Sequence, residues 1–197
     1  MSITLNPQIL LDAYYQGIFP MTDPRDGYTY WYDPNPRTII PLDTFHVPRR
    51  LERTIRQNKF EVRFNTAFSE VLHKCAEPRP KREETWLSPE LIKIYEVFHE
   101  QGLAHSVETW QNDSLVGGVY GIALGGFFAG ESMFSRVTDS SKVALVTLLR
   151  HVKSRGYQLF DVQFSTSHLK RFGAVEMPRF IYKKRLAEAL KLSCQFI

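Results

Sequence analysis

The sequence predicts an α+β protein in which helices flank a mostly antiparallel sheet. Three apolar segments with strand character follow one another closely, separated by turn signals: residues 105–110, 115–124 and 127–134. Such spacing is typical of an antiparallel meander. A helical segment that ends at Gly156 separates the third strand from another at 160–164, which predicts a parallel crossover unit. A meander joined to one crossover is an α+β arrangement.

The beginning of the chain is predicted to form a small N-terminal domain, residues 1–36. Its helix begins at Pro7 and ends at Gly17, because glycine caps helix ends and the following Pro20 cannot continue a helix. A proline-rich connector comes next. We place the domain boundary at its end, so that residues 37–197 form the larger domain.

The larger domain alternates strands and helices. Period-two alternation predicts a strand over 60–64. Apolar residues at helical spacing, together with start and stop signals, predict helices over 68–75, 88–102, 139–156, 166–172 and 180–190. Asp139 is expected to cap the helix that precedes the strand at 160–164.

Composition limits the cellular setting. The 197 residues are 43% hydrophobic, enough for a substantial core. No signal peptide begins the chain and no run of eighteen apolar residues occurs, so we expect no membrane association. The two cysteines lack metal-ligand spacing. These features predict a cytoplasmic protein with reduced thiols and without a bound metal.

Basic residues are concentrated in two places. The segment 48–56 is predicted as a short helix whose Arg49, Arg53 and Arg56 share one face. A second basic run, 79–82, is predicted as a loop. Two such patches point to a polyanion such as nucleic acid, although for either patch alone a solvated surface is the simpler interpretation.

Polar residues interrupt two of the predicted strands. Glu131 lies in one, and Asp161 and Gln163 lie in the other. Burying such groups costs free energy unless they have a partner or a function. The period of a strand sends Asp161 and Gln163 to one face, roughly 6.5 to 7 Å apart, while Val162 points to the packed face. We expect the first face to carry chemistry.

Structural roles are the alternative for the same three residues. Glu131 would then be an ion-pair partner of Arg136 or Lys142. Asp161 would cap a helix, and Gln163 would bond to the backbone. From the residues alone these structural interpretations are favoured.

The predicted order of elements is shared by GNAT-type acyltransferases, which bind acyl-CoA. Those enzymes hold the pyrophosphate on a glycine-rich loop between strand and helix. The corresponding segment here, residues 135–142, contains no glycine. An acyl-CoA substrate is therefore disfavoured.

Several short motifs occur in a fixed order along essentially the whole chain. They include Gly17-Ile18-Phe19-Pro20, Pro34-x-Pro36-Arg37, Glu84-Thr85-Trp86, Gly130-Glu131-Ser132-Met133-Phe134 and Asp161-x-Gln163. This ordered set resembles the leucyl/phenylalanyl-tRNA-protein transferase family.

The resemblance implies a two-domain enzyme whose larger part has a GNAT-like acyltransferase fold. Such an enzyme moves Leu or Phe from aminoacyl-tRNA to the N-terminal Arg or Lys of an acceptor protein, which marks that protein for N-end-rule degradation. It uses no cofactor, and the family suggests a monomer. The preference among Leu, Phe and Met is left open, as is acceptance of acidic N-termini.

The resemblance also implies roles for individual residues. Gln163 and Asp161 are the expected catalytic groups, and Glu131 and Trp86 are expected to contact substrate. As a hypothesis, the amide of Gln163 orients the attacking amine, Asp161 holds and polarises that amide, and Glu131 with Asp161 attracts the cationic acceptor side chain.

Other implied contacts surround these groups. Phe128 and Met133 are candidates for an apolar pocket that accepts the amino acid side chain. Met21 stands where the best-known members have tryptophan, so Trp31 is a candidate replacement against the terminal adenosine. The cations Arg49, Arg53, Arg56 and Lys59 are candidates for tRNA phosphates.

Three other functions are the alternatives to this one. A GNAT-type acyl-CoA N-acetyltransferase would bind CoA along residues 135–142. A cell-wall aminoacyl-transferring enzyme would differ only in its acceptor. A non-catalytic RNA-binding module would tolerate changes at Asp161 and Gln163.

Overall fold

The computed structural model describes residues 5–78 and 84–197. Its helices are α1 (Pro7–Tyr15), α2 (Arg49–Arg56), α3 (Phe68–Ala76), α4 (Pro89–Glu100), α5 (Ser140–Ser154), α6 (Ser167–Lys170) and α7 (Arg179–Ala189). Its strands are β1 (Phe19–Thr22), β2 (Thr29–Tyr32), β3 (Arg37–Ile39), β4 (Glu61–Phe64), β5 (Ala104–Gln111), β6 (Ser114–Leu124), β7 (Phe127–Ser135), β8 (Leu159–Gln163) and β9 (Val175–Met177). The basic run predicted as a loop, 79–82, lies outside the described residues.

Seven of the strands form one sheet in the order β4-β5-β6-β7-β8-β3-β9. Neighbouring strands are antiparallel at every position of this sheet except β7 and β8, which are parallel and are joined by α5. The predicted meander and crossover are therefore confirmed. So is the predicted fold class in its general form, an α+β arrangement with helices on a mostly antiparallel sheet.

Apolar residues cover both faces of the sheet. One cluster joins α1, α3, α4 and α7 to the sheet, and the other joins α2 and α5. Helices on both faces bury the long central strands, and β6 is buried from Leu115 to Leu124. Among residues 5–78 and 84–197, no helix has the length and apolarity needed to cross a membrane.

Four short strands were not predicted. A two-stranded hairpin, β1 and β2, occupies the connector that the sequence analysis left without structure, and β3 and β9 extend the large sheet beyond β8. Strands of three or four residues are too short to show a clear alternation. In addition, β3 begins with the charged residue Arg37, so its sequence does not indicate that all three of its residues are buried. The domain boundary after residue 36 stays a prediction.

Most helix starts agree with the sequence signals. The side chains of Ser88 and Thr166 accept hydrogen bonds from the first turns of α4 and α6. Asp139 precedes α5 as expected, but its side chain does not cap the helix. Its carboxylate instead pairs with Lys142, 2.7 Å away.

Candidate active site

A cavity opens where the two parallel strands separate. Strands β7 and β8 pair from Phe127 opposite Leu159 to Ala129 opposite Asp161, and the pairing ends there. The residues that follow these pairs line the cavity from both sides. This position, between diverging strands at the end of a parallel pair, is where open sheets commonly bind ligands.

A β-bulge directs Glu131 toward this opening. Tyr120 of β6 pairs with Ser132, but the next residue, Gly121, pairs with Gly130, so Glu131 is an extra residue in β7. A bulge bends its strand and changes the direction of a side chain. The irregularity explains how an acidic residue of this strand comes to line the cavity.

The cavity has a volume of about 300 Å³ and walls that are mainly apolar. Its apolar lining includes Val119, Met133, Leu145, Phe160 and Val162. That volume is at the lower end of the range for small-molecule sites. It suits a single apolar side chain better than a large cofactor.

Gln163 ends β8 in an unusual backbone conformation. Its φ is 58°, in the left-handed region that residues other than glycine seldom adopt. A hydrogen bond from the Phe164 amide to the Val162 carbonyl, 2.7 Å, closes a tight turn around it. Strain of this kind is typical of functional positions. Because of this turn, the strand's alternation does not extend to Gln163.

The side chain of Gln163 is held at its amide nitrogen. Nε2 donates to Oε1 of Glu131 at 3.3 Å, at the wall of the cavity. Within the described residues no donor occupies the amide oxygen of Gln163. That oxygen is left able to accept a hydrogen bond from a ligand.

Asp161 is fully buried and does not line the cavity. Its carboxylate accepts hydrogen bonds from Nε of Arg37 at 2.9 Å, from the hydroxyl of Tyr182 at 2.9 Å and from the backbone amide of Gln163 at 2.9 Å. The expectation that Asp161 holds the side-chain amide of Gln163 is therefore wrong. Asp161 fixes the backbone of Gln163, and Glu131 fixes its side chain.

Arg37 completes this buried cluster, and the sequence analysis gave it no role. Its guanidinium makes a two-point ion pair with Asp161 and donates to the carbonyl of Gly17 at 2.8 Å. It lies between the rings of Phe19 and Tyr182, 4.7 and 4.5 Å from their centroids. A buried arginine needs such partners. The only sequence signal was its place in the motif Pro34-x-Pro36-Arg37.

The same ion pair changes the electrostatics of the site. Burial lowers the pKa of Arg37, but the charge of Asp161 and the hydrogen bonds to its carboxylate together raise that pKa by more, so that the guanidinium keeps its charge. Arg37 therefore neutralises Asp161 at short range. Asp161 does not line the cavity, and its expected help in attracting a cationic acceptor stays a prediction.

Glu131 is the acidic group that faces the cavity. Burial raises its pKa to about 8, a hydrogen bond from the Tyr14 hydroxyl opposes the shift, and the charge of Asp161 reinforces it. The Tyr14 hydroxyl also lies 2.9 Å from that of Tyr95, so a buried pair of tyrosines supports the carboxyl group. Near neutral pH most of Glu131 is protonated when the cavity is empty.

The structural alternative for Glu131 is wrong. Arg136, one proposed partner, pairs with Glu77, and Lys142, the other, pairs with Asp139. Glu131 bonds to Gln163 instead. An acidic residue that bonds to an amide at a cavity wall is better placed for a ligand than for a structural ion pair.

Of the expected pocket residues, Met133 and Trp86 line the cavity and Phe128 does not. Phe128 is fully buried and stacks on Phe160, with ring centroids 5.4 Å apart. Phe160 forms the cavity wall, so Phe128 lies one layer behind it. The pocket assignment of Phe128 is corrected accordingly.

Val162 lines the cavity, contrary to the expectation that it only packs. The predicted packed face of β8 provides the apolar wall of the site, while Asp161, on the opposite face, is buried. His168 also lines the cavity.

Trp31 does not line the cavity. In the hairpin it lies opposite Pro20, whereas Tyr30 lies opposite Met21. Alternation therefore places Trp31 on the other face of β2 from Tyr32, whose ring packs near Phe164 at the cavity. The expected contact of Trp31 with the terminal adenosine stays a prediction.

The four candidate tRNA-binding cations, Arg49, Arg53, Arg56 and Lys59, are all exposed on or just after α2. Leu51 of the same helix is buried, so the helix has an exposed basic side and a side that packs on the protein. Among residues 5–78 and 84–197 no cluster of three or more His, Cys, Asp or Glu side chains forms a candidate metal site.

Comparison with known proteins places this arrangement in a family. Residues 39–187 match the family described as leucyl/phenylalanyl-tRNA protein transferase, and residues 4–35 match the N-terminal domain of the same family. A solved structure of L-PGS from Bacillus licheniformis is similar with a TM-score of 0.50 and 13% identity over 93% of this chain and 76% of that chain. This likeness concerns the fold alone.

Curated relatives are much closer in sequence. A leucyl/phenylalanyl-tRNA–protein transferase from Herpetosiphon aurantiacus is 54% identical over the full length of both chains. Relatives of the same name from Gloeobacter violaceus, 47% identical over the full length of both, and from Hyphomonas neptunium, 48% identical over this whole chain and 76% of the relative, also match. The chain belongs to the leucyl/phenylalanyl-tRNA protein transferase family.

Proposed function

We propose that this enzyme transfers Leu or Phe from aminoacyl-tRNA to the N-terminal Arg or Lys of acceptor proteins. The observation that carries the proposal is the amide of Gln163, which Glu131 holds at the wall of an apolar cavity with its oxygen available. The cavity accepts the amino acid side chain against Met133 and Val162. Trp86 contacts the terminal adenosine at the cavity rim.

The reaction is aminolysis of an ester. The neutral α-amine of the acceptor forms a bond to the ester carbonyl carbon, the bond from that carbon to the ribose oxygen breaks, and the amine proton passes to the ribose oxygen. An α-amine has a pKa near 8, so part of it is already neutral at pH 7 and no strong base is required. The amide oxygen of Gln163 accepts a hydrogen bond from this amine and directs its lone pair.

Asp161 and Arg37 act as positioning residues. They hold the backbone of Gln163 in its left-handed turn from behind the cavity wall. Glu131 then has two tasks, because it anchors the Gln163 amide and, in its ionised fraction, presents a negative charge to an acceptor cation. Ionised Glu131 selects Arg or Lys over a neutral residue.

The charge of Glu131 predicts a pH-dependent selectivity. Because its pKa is raised to about 8, the fraction ionised increases about fivefold between pH 7 and pH 8. The preference for a peptide that begins with Arg over one that begins with citrulline, its neutral isostere, should rise by about the same factor. Taking the ratio of kcat/KM for the two peptides cancels titration of the α-amine.

Glu131→Gln provides the control for this measurement. The variant keeps a hydrogen-bond partner for Gln163 but loses the titrating group. Its selectivity should be low and flat from pH 6.5 to 8.5. A wild-type ratio that stays constant over that interval would remove Glu131 from acceptor selection.

The exposed cations of α2 contact the acceptor stem in this proposal. The deep groove of an RNA helix is too narrow to be read by side chains, so Arg49, Arg53, Arg56 and Lys59 bind phosphates without sequence preference. We further propose that the enzyme acts as a monomer in the cytoplasm, without a cofactor, and that its products enter N-end-rule degradation.

The decisive assay supplies tRNA charged with labelled leucine and peptides that begin with Arg, Lys, Asp or Ala. We expect label on the Arg and Lys peptides, little on the Ala peptide, and Phe-charged tRNA as a second aminoacyl donor. Absence of label from every peptide would contradict the proposed function. Equal labelling of the Ala and Arg peptides would contradict the proposed acceptor.

A further inference from the structure

Two adjoining hollows connect the cavity with the basic helix α2. His168 lines both the cavity and the first hollow, and Arg50 and Asp139 line both the first and the second. We call the two hollows together the furrow. Its cationic side chains are Arg50, Arg53, Lys59, Lys142 and Arg171. Only Arg53 and Lys59 belong to the candidate tRNA-binding set given above.

The furrow is strongly cationic. Asp139 is the only carboxylate among the described residues that line it, and that carboxylate is paired with Lys142. Arg50 and Arg171 are exposed, and neither takes part in an ion pair with any residue of 5–78 or 84–197. Two unpaired guanidinium groups beside a cavity are an attractive site for an anion.

Two of these cations reach the cavity end of the furrow, because Lys142 and Arg171 line the hollow that His168 shares with the cavity. Burial lowers the pKa of His168, and the charges of Lys142 and Arg171 lower it further. Lys142 and Arg171 therefore lie near the boundary between cavity and furrow, whereas Arg53 and Lys59 line the second hollow, beside α2.

We propose that the furrow binds the phosphates of the unpaired 3′ end of the tRNA, between the cavity and the acceptor stem. This inference rests on the proposed function, in which the ester lies in the cavity and the stem lies on α2. The nucleotides between them carry phosphates that must leave the cavity along its surface. Arg171, Lys142 and Arg50 offer that route a series of cationic contacts.

The aromatic face of the hairpin is the competing route, and its charge is unfavourable. Tyr30 and Tyr32 are exposed there and offer stacking surfaces. However, the hydroxyl of Tyr30 donates to the carboxylate of Asp26, whereas the Asp23 carboxylate in the same turn is paired with Arg25. Carboxylates repel a phosphate backbone, so the furrow is the better path.

The positions of the cations along the furrow predict which phosphates of the RNA each of them contacts. Arg171, beside the cavity, contacts those nearest the amino acid, and Arg53 contacts those at the beginning of the stem. Aminoacyl donors of increasing length test the two contacts separately, because a short donor has the phosphates that Arg171 contacts but lacks those that Arg53 contacts. We choose leucyl-adenosine, which has no phosphate, a leucylated trinucleotide of sequence CCA, and full Leu-tRNA.

Arg171→Gln should raise KM several-fold for the trinucleotide and for Leu-tRNA while leaving leucyl-adenosine unchanged. Its affinity for a CCA-ended RNA should also depend less on salt, with the slope of log K against log salt smaller by about 0.7 for a lost single-strand contact. Arg53→Gln should raise KM for Leu-tRNA alone. Lys170→Gln is the matched control, because Lys170 is exposed next to Arg171 but does not line the furrow.

Unchanged kinetics of Arg171→Gln with the trinucleotide and with Leu-tRNA would overturn the furrow as the RNA path, and so would an equal loss with leucyl-adenosine. If the wild type transferred leucine from no aminoacyl donor, the proposed function would fail instead. Fluorescence anisotropy of a labelled CCA-ended hairpin RNA measures RNA binding directly, and so tests the furrow without depending on the transfer reaction. Binding equal in the wild type and Arg171→Gln at every salt concentration would reject it.

Discussion

Replacing Gln163 by Ala is expected to lower kcat about 10²-fold, which is the typical cost of losing the placement of a reacting group. The side-chain amide of Gln163 lies at the cavity wall. Its nitrogen donates to Glu131, and its oxygen is able to accept a hydrogen bond from the substrate. KM for the charged tRNA should stay close to the wild-type value, because the cavity walls and the exposed cations are unchanged. Single-turnover transfer with saturating Leu-tRNA and an Arg peptide measures the effect.

Two further variants separate orientation from backbone strain. Asn tolerates the left-handed region, so Gln163→Asn preserves the turn but withdraws the amide by one methylene group. It should lose most of the activity while unfolding at nearly the same urea concentration as the wild type. Gln158→Ala, at an exposed glutamine just before β8, is the control and should be fully active. Wild-type turnover in Gln163→Asn and Gln163→Ala would exclude the amide from the reaction.

Replacing Arg37 by Met should have the largest effect on stability. It leaves the Asp161 carboxylate fully buried without its ion-pair partner, which typically costs about 3 to 5 kcal/mol. That loss is a large part of the free energy of unfolding of an ordinary domain. Urea denaturation followed by tryptophan fluorescence gives the difference. The turnover of the folded fraction should also fall, because the backbone of Gln163 loses its support.

An exposed ion pair provides the comparison. Arg25 pairs with Asp23 in the hairpin turn, where the arginine side chain is 82% exposed. Arg25→Met should therefore change the free energy of unfolding by less than about 1 kcal/mol. Adding Asp161→Asn to Arg37→Met removes the unpaired charge and should recover part of the lost stability. A loss in Arg37→Met no larger than that in Arg25→Met would show that the buried pair does not stabilise this fold.

The sequence was sufficient for the parts of the fold that depend on long, regular patterns. The strand character of β6 and the helical spacing in α4 extend over eleven and twelve residues, and both elements were predicted. By contrast, β3 and β9 have three residues each, and their pairing depends on partners distant in sequence. Short strands of this kind are specified by tertiary contacts, which no local pattern shows.

The candidate site shows the same limit. Glu131, Asp161 and Gln163 were found because polar residues interrupt apolar strands, and the structure brings the three together. Their connections were not predictable, because the bulge at Glu131 and the left-handed turn at Gln163 both break the period of two on which the prediction relied. The role of Arg37 was missed because it depends on burial, which the residue type alone argues against.

The central claim is that the cavity between β7 and β8 holds the amino acid of the donor next to Gln163. A crystal structure with leucyl-adenosine in which an amide replaces the ester tests it directly. We expect the leucyl side chain against Met133 and Val162, and the carbonyl carbon within about 6 Å of the Gln163 amide oxygen, so that one amine fits between them. A leucyl group bound elsewhere, or a Gln163 amide turned away from that carbonyl, would contradict the account.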